Sequence, residues 1–146
     1  MLVIEDTRFG RIEVDERAVI RFPNGLVGFP DQKEFILVER EPGKMVAYLQ
    51  SVRAPELAFP VADGVIFGAA YPDPPIEVLA RGQGLEGEDL GLMVIVAVSP
   101  KTKNLEANLL APIIVDVEAR RGAQVVLDAR KFSAQVSLLL SPNSEQ

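Results

Sequence analysis

Two pairs of neighbouring carboxylates have a spacing that could support acid–base chemistry. They are Asp15 with Glu16, and Glu86 with Glu88. A glycosidase-like reaction needs one carboxyl group whose pKa is raised by apolar surroundings and a second that stays ionised. Both pairs lie among charged or glycine-rich neighbours, which would leave the two groups solvated. The pattern favours an acidic surface, and a small histidine-free carboxylate enzyme remains the alternative.

A glycine-rich run over residues 82–87 has the spacing of a dinucleotide-binding fingerprint. Gly82, Gly84 and Gly87 recur at the required intervals. That fingerprint holds a pyrophosphate at the start of a helix that follows a strand. Here Glu86 and Glu88 would repel phosphate, and the segment that follows resembles a strand. We therefore predict a mobile, polar surface loop and no nucleotide cofactor.

The chain contains neither histidine nor cysteine. The lack of cysteine excludes disulfides, thiolate zinc sites and cysteine nucleophiles. The lack of histidine removes the commonest general acid–base and a common metal ligand. We therefore expect no catalytic residue, metal site or cofactor.

Acidic residues are concentrated in one segment of a chain whose net charge is −6. Between residues 73 and 89 a single basic residue, Arg81, accompanies five acids: Asp73, Glu77, Glu86, Glu88 and Asp89. A surface of one sign attracts a partner of the opposite sign. The segment predicts contact with a positively charged protein.

Basic residues between positions 101 and 131 could instead form a nucleic-acid patch. They are Lys101, Lys103, Arg120, Arg121, Arg130 and Lys131, with Phe132 as the neighbouring aromatic. The negative charge of the whole chain opposes phosphate binding, and few aromatics are available to stack on bases. We interpret these residues as a solvated face and expect no direct contact with nucleic acid.

The run from Phe22 to Phe29 combines two aromatics, one proline and two glycines. Proline presets its own φ angle, and Asn-Gly tolerates positive φ, so the run favours a tight turn over a ligand-binding loop. Its aromatic ends would be anchored in the core. The residues assigned to this structural turn are Phe22, Pro23, Asn24, Gly25, Gly28 and Phe29.

Short apolar runs separated by Gly/Pro turns predict an all-β fold. Hairpins are predicted over residues 34–50 and 113–127. The continuous apolar run 92–98 predicts a central strand covered on both faces. The segment 76–79 predicts a further strand. Pro60 favours an edge or a bulge for the strand 57–61. We predict a single compact antiparallel β-barrel-like domain with little helix over residues 1–140, a bend at 62–75 and a flexible polar tail at 141–146.

The apolar stretch at the amino terminus ends after four residues, at the acidic pair Glu5 and Asp6. It is therefore too short for a signal peptide. The longest apolar run is far below the ~20 residues that cross a bilayer. We expect a cytoplasmic protein that does not contact membranes.

The ordered blocks of this sequence resemble the FliW flagellar assembly factor family from about Val3 to Leu127. The matching blocks are Arg8-Phe9-Gly10 with Ile12-Glu13-Val14, Phe22-Pro23-Asn24-Gly25-Leu26 with Gly28-Phe29, Leu49-Gln50-Ser51-Val52, Leu57-Ala58-Phe59, Val94-Ile95-Val96, Asn108-Leu109-Leu110-Ala111-Pro112-Ile113 and Gln124-Val125-Val126-Leu127. Each block is short, and their shared order and spacing make the resemblance specific. One departure is Ala107, where the family often has threonine.

The resemblance implies a non-enzymatic cytoplasmic regulator with a compact β-barrel-like fold. Such proteins bind flagellin and also CsrA, a small dimeric RNA-binding translational repressor. While free, the regulator sequesters CsrA, so flagellin mRNA is translated. When flagellin accumulates it takes up the regulator, and the released CsrA represses translation.

Charge and apolarity suggest where the two partners would bind. The acidic segment 73–89 is the predicted CsrA-facing group, because a repressor that grips RNA is basic. The predicted flagellin-facing group is an apolar groove suited to an amphipathic helix, lined by Leu109, Leu110 and Ile113 beside Asn108. The alternative is that these apolar side chains belong to the core. We expect a monomer when the protein is free. A barrel that carries a small apolar ligand is a further alternative, which a side-chain-filled interior would exclude.

Overall fold

The computed structural model describes residues 1–39, 45–64, 76–99, 101, 104–131 and 136–138. These residues form eleven strands, a short 3₁₀ helix at Glu16–Ala18 and the α-helix α1 at Ile76–Gly82. The strands are β1 (Leu2–Thr7), β2 (Gly10–Val14), β3 (Ile20–Arg21), β4 (Glu34–Val38), β5 (Val46–Ser51), β6 (Ala58–Asp63), β7 (Leu90–Val98), β8 (Leu105–Ala107), β9 (Ile113–Asp116), β10 (Arg121–Gln124) and β11 (Val136–Leu138). None of the described helices is long and apolar enough to span a membrane.

Seven strands close into a barrel in the order β3, β4, β5, β6, β7, β9, β10. Closure comes from the pairing of β7 with β9, where Leu92 lies opposite Ile114. β3 and β10 pair in parallel through Arg21 and Arg121, and the other neighbours in the ring are antiparallel. β8 and β11 extend the sheet beyond β7. The predicted all-β barrel is confirmed.

Alternation along the strands separates the barrel interior from its outer face. In β9, Ile113 and Val115 enter one core cluster whereas Ile114 enters another, as the two-residue period of a strand requires. The interior cluster comprises Ile20, Phe22, Leu26, Phe35, Leu49, Val61, Ile113 and Val115. Burying each large apolar side chain stabilises the fold by roughly 1.5–3 kcal/mol. Side chains therefore fill the barrel, which argues against a lipocalin-like carrier.

The β1–β2 hairpin and helix α1 pack on the outer face of the barrel. The β1–β2 hairpin packs on β4 through Ile4 and Ile36. Helix α1 and the segment after it pack on β9 through Ala80, Leu85 and Ile114. β7 contributes Met93 to the interior and Val94 to an outer cluster, so the prediction that this strand is covered on both faces is confirmed.

Both predicted hairpins form, as β4–β5 and β9–β10. Two predictions about single segments are wrong. Residues 76–79 begin α1 instead of forming a strand, because the helix places Ala80 on the outer apolar cluster. The strand that contains Pro60 is not an edge strand, because β6 pairs with both β5 and β7. The ladder to β7 begins one residue after Pro60, at Val61 opposite Ile95. The missing N–H of proline therefore lies outside that ladder. The bend from residue 65 onward and the polar tail 141–146 lie outside the described residues.

Candidate functional site

The Phe22–Phe29 run forms two successive turns. The N–H of Gly25 donates to the carbonyl oxygen of Phe22 at 2.8 Å. Leu26 and Phe29 then exchange backbone hydrogen bonds of 3.2 and 2.7 Å. Gly25 has a φ of +66°, and a Cβ there would lie 2.6 Å from the carbonyl oxygen of Pro30. Glycine at this position is required both by the backbone angle and by the lack of space.

The two aromatics that bound the run lie in different environments. Phe22 is fully buried, and its ring meets that of Phe35 edge-on at 5.5 Å. Phe29 is 38% exposed and contacts Phe59 at 5.2 Å. The expectation that both rings are anchored in the core is therefore wrong for Phe29, which packs on the core from the surface.

The described acidic side chains of the segment 73–89 are exposed. Glu77 lies in the first turn of α1, and Glu86, Glu88 and Asp89 lie in the segment that connects α1 to β7. None of these four carboxylates forms an ion pair with another described residue. Their charges therefore remain available to a partner. Asp73 lies outside the described residues.

The segment that carries these acids is attached to the barrel at several points. Leu85 is buried, and its N–H donates to the carbonyl oxygen of Ala80 at 2.9 Å. Arg81 Nη1 donates to the carbonyl oxygens of Leu85 and Gly87 at 2.8 and 3.3 Å. The N–H of Gly87 donates to Oδ2 of Asp116 at 3.0 Å. The sequence predicted a mobile loop; the observed connection is instead fixed by buried apolar contact and hydrogen bonds.

The predicted flagellin-facing residues do not form a groove. Leu109 and Ile113 are 1% and 0% exposed, and they belong to two core clusters. Asn108 is half-buried, and its Oδ1 accepts a 3.0 Å hydrogen bond from the N–H of Leu110. Leu110 is also half-buried. The groove hypothesis is wrong for the two buried residues, because their side chains pack in core clusters instead.

Both carboxylate pairs are exposed, so neither has the apolar surroundings that a catalytic acid needs. A hydrogen bond from the Arg17 side chain, supplemented by the Arg17 N–H, lowers the pKa of Asp15. A catalytic acid would need the opposite shift. Glu86 and Glu88 are both exposed on the connection to β7. Among the described residues no group of three acidic side chains is placed to hold a metal ion.

The predicted basic residues differ in their local settings. Arg120 lies in the turn before β10 and Arg121 begins that strand, whereas Arg130 pairs at 3.0 Å with Asp128. Lys101 and Lys131 are exposed. Lys103 and Phe132 lie outside the described residues.

Two polar side chains that were not predicted from the sequence, Asp116 and Gln124, bond to the α1–β7 connection and to the Phe22–Phe29 run respectively. Asp116 is 5% exposed and accepts hydrogen bonds from the N–H groups of Gly87 and Ala119. Gln124 accepts from the N–H of Val27 at 2.7 Å and donates to the carbonyl oxygen of Ala111 at 3.0 Å. An aspartate that ends the apolar run Ile113–Val115 was the available signal for a buried carboxylate. No local pattern indicated the partners of Gln124.

These features define a closed, side-chain-filled β-barrel protein whose surface charges are segregated. The family model described as "FliW protein" matches residues 3–138. A flagellar assembly factor FliW from Heliobacterium modesticaldum is 35% identical over 133 residues, covering 90% of this chain and 87% of the relative. One from Oceanobacillus iheyensis is 32% identical over 146 residues and covers 97% of each chain. The crystal structure of a flagellar assembly factor FliW superposes with a TM-score of 0.81 at 30% identity, covering 96% of this chain and 99% of that one. The chain belongs to the FliW family.

Proposed function

We propose that this protein regulates flagellin synthesis by binding flagellin and CsrA in alternation, without catalysis. While free and monomeric in the cytoplasm, it sequesters CsrA, so flagellin mRNA is translated. Flagellin that accumulates takes up the protein, and the released CsrA represses translation. Membership of the FliW family carries this proposal, since the matched relatives are flagellar assembly factors.

The CsrA half of the proposal is supported by the exposed acids of α1 and the α1–β7 connection, Glu77, Glu86, Glu88 and Asp89. These carboxylates have no described ion-pair partner, so binding a basic protein breaks no ion pair with a described residue. The connection is fixed by Leu85 and by the Gly87–Asp116 hydrogen bond. A fixed charged surface loses little conformational entropy on binding. The proposed binding of flagellin is supported by family membership alone, because Leu109 and Ile113 are buried.

A competition titration tests the partner switch. Labelled CsrA is bound to the purified protein, flagellin is added, and the remaining complex is measured by fluorescence anisotropy. We expect CsrA to bind and flagellin to reduce the amount of complex. Failure to bind either protein contradicts the function as a whole.

A matched pair of triple variants tests the acidic surface separately. E77Q/E86Q/E88Q should weaken CsrA binding roughly tenfold, since three exposed charges contribute about 0.5 kcal/mol each. The dependence of affinity on salt should also become shallower. The control D31N/E39Q/E56Q removes the same charge from exposed positions elsewhere and should bind as the wild type does. Equal affinity of both variants would reject this surface and leave the partner switch standing.

A further inference from the structure

A groove of about 690 Å³ beside the Phe22-Pro23 turn has cations as half of its lining residues. Its lining residues are Arg21, Phe22, Pro23, Asp31, Lys33, Glu34, Arg53 and Arg121. Four cations against two acids leave an excess of two positive charges. This local excess is opposite in sign to the net charge of −6 of the whole chain.

The positive charge of the groove is only partly compensated within the protein. Arg53 Nε lies 3.2 Å from Oε1 of Glu34. Arg21, Lys33 and Arg121 are exposed and form no ion pair with another described residue. These three cations are thus available to an external anion.

Two of the available cations are held side by side by the barrel. Arg21 and Arg121 are register partners across the parallel pairing of β3 with β10, and the N–H of Arg21 donates to the carbonyl oxygen of Arg120 at 2.9 Å. Like charges directly opposite each other in a sheet are destabilising. An anion between the two guanidinium groups would remove that repulsion, and guanidinium groups bind carboxylates in a bidentate manner.

The floor of the groove is closely packed. Phe22 is fully buried, its N–H donates to the carbonyl oxygen of Lys33 at 2.8 Å, and its ring lies against Gly122. A Cβ on Gly122 would lie 2.6 Å from Cε2 of Phe22, so the ring occupies space that another residue would need. A preformed groove binds with little reorganisation.

A second groove of about 400 Å³ shares Pro23 and Arg121 with the first. Its lining includes Val27, which is 60% exposed. The shared surface therefore offers an apolar contact next to the paired arginines. We propose that it binds an acidic peptide segment of a protein partner, with carboxylates at Arg21 and Arg121 and an apolar side chain near Val27.

An acidic peptide fits this surface better than a nucleic acid does. Single-stranded nucleic acids bind through a continuous basic track together with exposed aromatic rings that stack on bases. Phe22, the aromatic residue in the groove lining, is fully buried. The net charge of −6 would also repel a polyanion that extends beyond the groove. Binding of an acidic peptide here does not depend on the proposed exchange between flagellin and CsrA.

The test titrates the ¹⁵N-labelled full chain with a short peptide in which glutamate and leucine residues are spaced by serine and glycine. A second peptide with glutamine in place of each glutamate is the control. We expect saturable shifts of the Arg21, Lys33 and Arg121 amide signals with the acidic peptide only. Absence of saturable shifts there, or equal binding of the glutamine peptide, overturns the proposal.

A pair of double variants identifies the groups that bind the peptide. R21Q/R121Q should reduce its affinity about tenfold or more, because two charge-assisted contacts are lost. R17Q/R130Q removes the same charge from arginines paired to Asp15 and Asp128 and should leave the affinity unchanged. Far-UV circular dichroism checks that both variants fold. Equal loss in both variants, or tighter binding of single-stranded oligouridylate to the same amides, rejects an acidic-peptide site.

Discussion

The N–H of Gly87 and Oδ2 of Asp116 are joined by a 3.0 Å hydrogen bond that ties the acidic connection to the end of β9. Next to this bond, the N–H of Val117 donates to the carbonyl oxygen of Asp89 at 3.0 Å. The charged side chains on either side of Gly87 are thereby presented from a backbone held against the barrel. The stability of this contact and the position of the acidic surface should consequently be coupled.

Replacing Gly87 by alanine should disrupt this contact. A Cβ there would lie 2.6 Å from Cγ of Asp116, so the loop or the carboxylate must move. We expect the free energy of unfolding, measured in urea, to fall by about 1–3 kcal/mol, as overpacking usually costs. Gly82→Ala is the matched control, because a Cβ at Gly82 meets nothing within 4 Å and alanine favours the helix. Equal effects of the two substitutions would contradict this account.

Asp116→Ala should destabilise the protein by removing the acceptor of two backbone donors. The N–H groups of Gly87 and Ala119 both bond to this carboxylate, and an unsatisfied buried donor costs about 1–3 kcal/mol. Asp116→Asn retains a carbonyl oxygen and should lose less stability. Urea unfolding of both variants measures the difference. An alanine variant as stable as the asparagine variant would show that water satisfies the two donors.

The strands could be predicted from sequence because the pattern of apolar residues reports burial directly. The run Leu92–Val98 has apolar residues at every position, and β7 is covered on both faces. Helix α1 could not be predicted in this way. Its β-branched Ile76 and Val78 favour a strand locally, and the helix is selected by tertiary packing of Ala80 against Ile114.

The acidic surface and the paired arginines also differ in how far they could be predicted from the sequence. The acids of the α1–β7 connection are neighbours in sequence, so their charge was visible before the fold was known. The paired arginines lie at positions 21 and 121, and only the parallel pairing of β3 with β10 brings them together. Local apolarity was also misleading for Leu109 and Ile113, since the same side chains suit a groove or a core.

Gly25→Ala should be more destabilising than Gly28→Ala. Both glycines have positive φ, +66° and +85°, which costs alanine roughly 1–2 kcal/mol. Only Gly25 also faces backbone atoms, since a Cβ there would lie 2.6 Å from the Pro30 carbonyl oxygen, whereas a Cβ at Gly28 would meet nothing within 4 Å. We expect an additional loss of about 1–3 kcal/mol for Gly25→Ala. Thermal and urea unfolding of the two variants compare the effects, and similar losses would show that space is not limiting at Gly25.

Asp15 should titrate below its ordinary pKa of 3.8 in the folded protein. The Arg17 side chain is the main cause of the lowered pKa, and the Arg17 N–H is the second. A lowered folded-state pKa means that the stabilisation is present above the unfolded pKa and is lost as pH falls through the folded value. Arg17→Gln should raise the midpoint only in part, because the backbone N–H remains. Carboxyl ¹³C chemical shifts measured against pH test this, and an unchanged midpoint would exclude the side-chain contribution.

Arg121→Gln should stabilise the ligand-free protein while weakening its binding of acidic peptides. The substitution removes the repulsion between register partners Arg21 and Arg121, which we expect to raise the free energy of unfolding by about 0.2–1 kcal/mol at low salt. The gain should shrink as salt screens the exposed charges. Arg53→Gln is the control: it removes a charge from the same groove but also breaks the pair with Glu34, so no gain is expected. Urea unfolding at low and high salt measures both variants. A loss of stability in Arg121→Gln would mean that the two guanidinium groups do not repel each other in the folded protein, and the paired arginines would then lack the unmet charge that favours an anionic partner.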